Sequence, residues 1–119
     1  MKEIKAYVRK ARIKAVVNAL QEARAPGITV VEVHPVGYGY EPNYFEPGFE
    51  EDVLKRYKYL ETAKLEVVCP DADLEKLVQV IQKECHTGQR GDGMIFVTDV
   101  TGAMRIRTGA RGEQSLRIS

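Results

Sequence analysis

Arg105 and Arg107, set two apart in Arg105-Ile-Arg107-Thr-Gly109, are the side chains best suited to holding an anion. In an extended segment that spacing sends both guanidiniums to the same side. Paired guanidiniums suit phosphate or carboxylate groups better than they suit a core. The second candidate group precedes them. Thr87-Gly88-Gln-Arg-Gly91-Asp92-Gly93 is broken by three glycines and runs directly into apolar Met94-Ile-Phe-Val97. Gly88, Gly91 and Gly93 let the backbone adopt positive φ and approach a ligand closely, and successive amides in such a loop can form a concave anion site. Asp92 in this turn reads as a backbone-capping aspartate rather than a catalyst. No Ser/His/Asp or Cys/His set has interpretable spacing, so an enzyme is not expected.

The elements that must position these groups follow from periodicity. Ile4, Ala6 and Val8 alternate with polar neighbours as in a half-buried strand. Ile13, Val16, Val17 and Leu20 form a helical stripe that Pro26-Gly27 ends. Residues 28–36 predict a second strand closed by Gly37, Lys64–Val68 a third, Met94–Val100 a fourth, and Met104–Thr108 a short fifth. Pro70 ends the third strand, and Asp71 or Asp73 can cap the helix after it. In that helix Leu74, Leu77, Val78, Ile81 and Cys85 repeat the stripe of the first. Laying Ile13 over Leu74 superimposes the two stripes, so a β-α-β unit is used twice. That is the ferredoxin-like arrangement, α+β with a βαββαβ antiparallel sheet and both helices on one face. Tyr7, Val30 and Val68 then point to a covered opposite face, hence to self-association.

The long stretch 37–61 has no sustained period, and five of the nine aromatic residues of the chain lie between Tyr38 and Phe49: Tyr38, Tyr40, Tyr44, Phe45 and Phe49. Its aromatics either pack on a neighbouring subunit or meet a partner or ligand. The remaining bounds are broad. A chain of 119 residues, net charge +1 and 44% hydrophobic content reads as one globular domain, 1–119, with no overall field toward nucleic acid or membrane. The charged start Met1-Lys-Glu-Ile-Lys5 and the free thiols expected at Cys69 and Cys85 point to a cytoplasmic protein. His34, Cys85, His86 and acids of the loop are the metal-ligand candidates, but they lack ligand spacing, so no metal site is expected. Gly93-Met-Ile-Phe-Val97 lacks the base and the paired aromatics of an RNA-binding strand, which excludes nucleic acid as a partner.

With the fold reached, Thr87-Gly88-x-x-Gly91-Asp92-Gly93-x-Ile95-Phe96-Val97 followed by Arg105-Ile-Arg107-Thr-Gly109 resembles the C-terminal signature of the PII signal-transduction proteins, the nitrogen regulatory protein PII superfamily. Lys2–Val8 and the strand Gly27–Val33 are similar to the first two family strands, and residues 37–61 occupy the place of the mobile T-loop. The resemblance implies a compact homotrimer that binds an adenine nucleotide (ADP, AMP or ATP) in clefts between subunits, with magnesium left open. It also implies regulation of a transporter or metabolic enzyme through the T-loop, where Tyr38, Tyr40, Tyr44, Phe45 and Phe49 are the partner-facing anchors. Carried over residue by residue, Thr29 and the backbone near Val68 meet the adenine, Gly37, Thr87, Gly91, Asp92 and Gly93 line the pocket, and Arg105 and Arg107 reach the phosphates. Departures mark an atypical member. Gly37-Tyr38-Gly39-Tyr40-Glu41 stands where typical members carry Gly-Arg-Gln-Lys-Gly, and Met94 replaces a phosphate-meeting lysine. ADP or AMP is therefore favoured over ATP, and bicarbonate or 2-oxoglutarate remains open as a second effector. The copper-tolerance proteins share the trimeric fold, so a metal-binding tolerance protein is the alternative.

Overall fold

The computed structural model describes residues 1–35 and 61–117. Gly37, Tyr38, Tyr40, Tyr44, Phe45 and Phe49 therefore lie outside the described residues, with nearly the whole of the long loop. The chain runs β1 (Lys2–Arg9), α1 (Ile13–Glu22), β2 (Thr29–Val33), β3 (Thr62–Cys69), α2 (Leu74–Cys85) and β4 (Met94–Asp99). One sheet has the order β2-β3-β1-β4, with every neighbouring pair antiparallel. This is the ferredoxin-like βαββαβ topology expected from the repeated β-α-β unit.

Period-two burial builds the sheet. β1 buries Ile4, Ala6 and Val8 while Glu3, Lys5, Tyr7 and Arg9 alternate onto the other face, and β3 buries Ala63, Leu65, Val67 and Cys69 in the same way. Val16 and Leu20 of α1 and Leu77, Ile81 and Cys85 of α2 close the core over that one face. Each fully buried aliphatic side chain contributes about 1.5–3 kcal/mol, so the two stripes hold the layers together. A crosslink fixes the helix pair: Arg12, ahead of α1, donates from Nε to the Glu84 carbonyl at 2.7 Å, near the end of α2.

Several expectations are corrected. The end of α1 is set before Pro26, by Arg24 in the left-handed region (φ 64°). Arg24 N–H donates to the Gln21 carbonyl at 3.0 Å and Ala25 N–H to that of Leu20 at 2.9 Å, a Schellman closure. The start of α2 is not closed by a side chain: Asp73 at its N-cap makes no capping bond, and Asp71 pairs with the N-terminal ammonium at 3.0 Å. β2 is shorter than 28–36, spanning five residues. Val30 pairs with Leu65, so it lies on the helix side rather than on the open face; Tyr7 and Val68 do lie on the open face. Met104–Thr108 is no strand. A single bridge joins Met104 to Arg111, and the chain turns back between them.

Candidate functional site

That turn decides where the two arginines go. Arg105 N–H donates to the Ala110 carbonyl at 2.8 Å and Gly109 N–H to the Arg105 carbonyl at 2.7 Å. Gly109 closes the loop at φ 74°, a left-handed conformation that glycine adopts without strain. Arg105 and Arg107 consequently share a cleft without sharing the side of a strand. Arg105 is half-buried, and its Nε (3.0 Å) and Nη2 (2.5 Å) both donate to the carbonyl of buried Ser115. Arg107 is exposed. The cleft, about 500 Å³, is lined by Thr29, Val68, Arg105, Arg107, Ser115 and Leu116 among others. The four residues expected there, Thr29, Val68, Arg105 and Arg107, span 78 positions in sequence (29 to 107) and meet at one place.

The glycine loop forms a separate constellation at the far edge. Asp92 accepts from the backbone N–H of Thr87 (2.8 Å) and of Gly88 (2.9 Å), and from the Thr87 hydroxyl. The concave amide site anticipated here is therefore filled by the loop's own carboxylate. Asp92 caps the backbone and organises the loop. Gly88, Gly91 and Gly93 all have positive φ (83°, 95° and 102°). A Cβ on Gly93 would stand 1.7 Å from the Tyr7 carbonyl oxygen, so only glycine lets the loop enter β4 beside β1. A cavity of about 210 Å³ adjoins the loop, lined by Tyr7, Cys85, His86, Asp92, Gly93 and Met94 among others.

Two participants were not identified from sequence. Arg9 donates from Nη2 to the Arg90 carbonyl at 2.6 Å and its Nε lies 3.6 Å from Asp92, so it clamps the loop from β1. Its place at the end of the Glu3, Lys5, Tyr7 alternation was the available signal. Ser115, which holds Arg105 through a backbone carbonyl, carries no sequence signal at all.

Electrostatics follow from these contacts. The Thr87 hydroxyl and backbone bonds, with Gly88 N–H and Arg9 in support, lower the Asp92 carboxyl from 3.8 to about 2. A carboxyl held more acidic in the fold than in the unfolded chain stabilises the fold fully above its unfolded value and loses that contribution as pH falls through the folded one. Between about pH 4 and pH 2 the wild type should lose stability more steeply than Asp92→Asn. Denaturant titrations of both proteins across that window check this. Equal slopes would remove Asp92 from the loop's organisation.

The metal-binding alternative is not favoured. Among the described residues no group of three or more His, Cys, Asp or Glu side chains could hold a metal ion. Cys69 and Cys85 are free and buried, and burial pushes the Cys85 thiol up to about 11, away from the thiolate a metal needs. Nor is any helix among the described residues long and apolar enough to cross a membrane.

Sheet order, crossovers and the position of the long connection define a ferredoxin-like protein with its loop between β2 and β3. More particularly, the chain belongs to the nitrogen regulatory protein P-II family, whose model matches residues 1–110. It is 36% identical over 118 residues to nitrogen regulatory protein P-II 2 of Methanothermobacter thermautotrophicus, covering 98% of this chain and 97% of that one. It is 38% identical over 118 residues to nitrogen regulatory protein P-II of Azospirillum brasilense, covering 98% of this chain and all of the other. Against the Mesorhizobium japonicum protein of the same name it is 39% identical over 114 residues, covering 94% and 96%. The protein is thus a P-II-type regulatory signal-transduction protein.

Proposed function

We propose that this protein senses an adenine nucleotide in a cleft shared between neighbouring chains of a homotrimer. One observation carries the reading. The arginine cleft with Thr29 and Val68 lies beside edge strand β2, whereas the Thr87–Gly93 loop lies beside edge strand β4, at the other side of the sheet. The two halves share no lining residue and sit by opposite edges of the sheet within one chain. A neighbouring copy brings the arginine half of one chain to the loop half of the next, closing the ring through heterologous contacts. The open face supports this association: Tyr7 stacks edge-on against Phe96 at 6.0 Å, and Phe96 (41%) and Met94 (46%) are exposed for large apolar side chains. Ile106, between the arginines, is 98% exposed in the single chain.

In this reading Thr29 and the Val68 backbone meet the base, and Arg105 and Arg107 meet the phosphates. Gly37, Thr87, Gly91, Asp92 and Gly93 line the neighbour's side. Met94 supplies no charge to a terminal phosphate, which favours ADP or AMP over ATP. The chain acts as one unit, in the cytoplasm, as a regulator rather than an enzyme. Nucleotide changes the order of residues 37–61, and Tyr38, Tyr40, Tyr44, Phe45 and Phe49 then engage or release a transporter or metabolic enzyme. Ligand drives this change only by binding one loop state more tightly. Bicarbonate or 2-oxoglutarate can act as a second effector.

Calorimetric titration with ATP, ADP and AMP tests the reading, each with and without magnesium, bicarbonate and 2-oxoglutarate. One nucleotide per chain, with ADP or AMP tightest, is the expected result, and no saturable binding refutes it. Deleting residues 41–56 should leave a trimer that still binds nucleotide, measured by sedimentation and calorimetry. Loss of the trimer would make the loop structural.

A further inference from the structure

A second hollow, about 460 Å³, adjoins the arginine cleft and shares Pro26 and Leu116 with it. Its walls carry Arg24, Lys76 and Arg117, with Asp73. Several cations elsewhere face carboxylates: Lys2 with Asp99, Arg9 with Asp92, Lys10 with Glu32 and Arg12 with Glu84. Among the described residues, Arg24, Lys76 and Arg117 have no such partner. Three cations from three parts of the chain, the α1 exit, the first turn of α2 and the C-terminal segment, converge on one concave surface.

Two of the three sit where local stability argues against them. Arg24 occupies the left-handed C′ position of a Schellman closure, where glycine carries no Cβ penalty. Lys76 lies in the first turn of α2, where the helix dipole disfavours a cation. Local misfits of this kind concentrate where a chain serves a function. Both misfits here line the same hollow.

We infer that this hollow is an anion site separate from the arginine cleft, and that it takes a small phosphate monoester. Three cations against the Asp73 carboxylate leave an excess charge of two, which matches the dianion such an ester carries near neutral pH. Two guanidinium forks and one ammonium suit phosphate oxygens. The walls at Ala25, Pro26 and Leu116 give the ester's carbon part an apolar surface, and the volume exceeds that of phosphate alone. The inference does not depend on nucleotide occupying the neighbouring cleft.

The test is a titration of the full chain with glycerol 3-phosphate, and with malonate at matched ionic strength as a carboxylate dianion. It is run on wild type, Arg107→Ala, Arg24→Gly and Lys76→Gln. Saturable binding of glycerol 3-phosphate is expected in wild type and Arg107→Ala alike. Arg24→Gly and Lys76→Gln should each weaken it roughly tenfold or more, the effect of losing one charge-assisted contact. Arg24→Gly should also raise the melting temperature of the ligand-free protein, so its lost binding cannot be put down to misfolding. Absence of binding in wild type, unchanged binding in both hollow variants, or malonate binding as tightly each overturns the inference. So does loss of binding in Arg107→Ala, which would place the ester in the arginine cleft. Failure of the nucleotide reading would appear instead as no ADP binding, with this titration unaltered.

Discussion

Gly93→Ala is expected to destabilise the protein by about 3 kcal/mol or more, because left-handed strain of order 1–3 kcal/mol adds to a steric conflict with backbone. The new Cβ would meet the Tyr7 carbonyl oxygen at 1.7 Å and its carbon at 2.8 Å, and neither atom belongs to a side chain that can swing away. β4 begins one residue later, with Met94 paired to Tyr7, so relieving the conflict pulls the edge strand from β1. A fall in melting temperature on the order of 10 °C follows from the usual conversion for a domain of this size. Gly109→Ala provides the comparison. Its φ is 74°, but nothing lies within 4 Å of an added Cβ, so strain alone acts there, about 1 kcal/mol. If thermal unfolding gives the two substitutions equal effects, the close approach of the loop to β1 is not what glycine serves at position 93.

The second large effect separates the two arginines. Arg107→Ala should weaken ADP binding roughly tenfold to a hundredfold, the range for losing charge-assisted bonds to phosphate. Arg105→Ala should weaken binding comparably and also lower stability, because both guanidinium bonds to the Ser115 carbonyl disappear with the side chain. Calorimetry and thermal unfolding on the same preparations read both quantities. Wild-type stability in Arg105→Ala would mean the Ser115 contact contributes nothing. Unchanged affinity in both would remove the arginines from the site.

Much of this architecture was legible in the sequence because half-buried elements advertise their periods. Ile4, Ala6 and Val8, and the stripes through Leu20 and Ile81, are buried where their spacing places them. Legibility failed where the same pattern has two physical origins. Met104-Arg-Ile-Arg-Thr108 alternates like a strand, yet Gly109 and the Ala110 carbonyl bend it into a tight return. In β2, adjacent Val30 and Val31 give no parity, and only the pairing of Val30 with Leu65 assigns the face. The glycine loop's positive φ angles were readable from composition. The backbone-capping role of Asp92 was readable too, but that it would take the amides of Thr87 and Gly88 was not, since that depends on the loop's closure. Arg9 looks like an ordinary solvated charge until the loop packs upon it. Ser115 acts through its backbone, to which its residue type is silent.

If halves held apart on one chain make one site between two, subunits carrying complementary defects should restore it when mixed. Arg107→Ala and Asp92→Ala proteins, each with weakened ADP binding, would be unfolded together at equal amounts, refolded into mixed assemblies and titrated with ADP. In a closed ring with heterologous interfaces, about a quarter of the interfaces should then join an intact arginine half to an intact loop half and bind at wild-type affinity. A mixture that is shown to contain both chains and still binds no better than either parent would contradict the shared site.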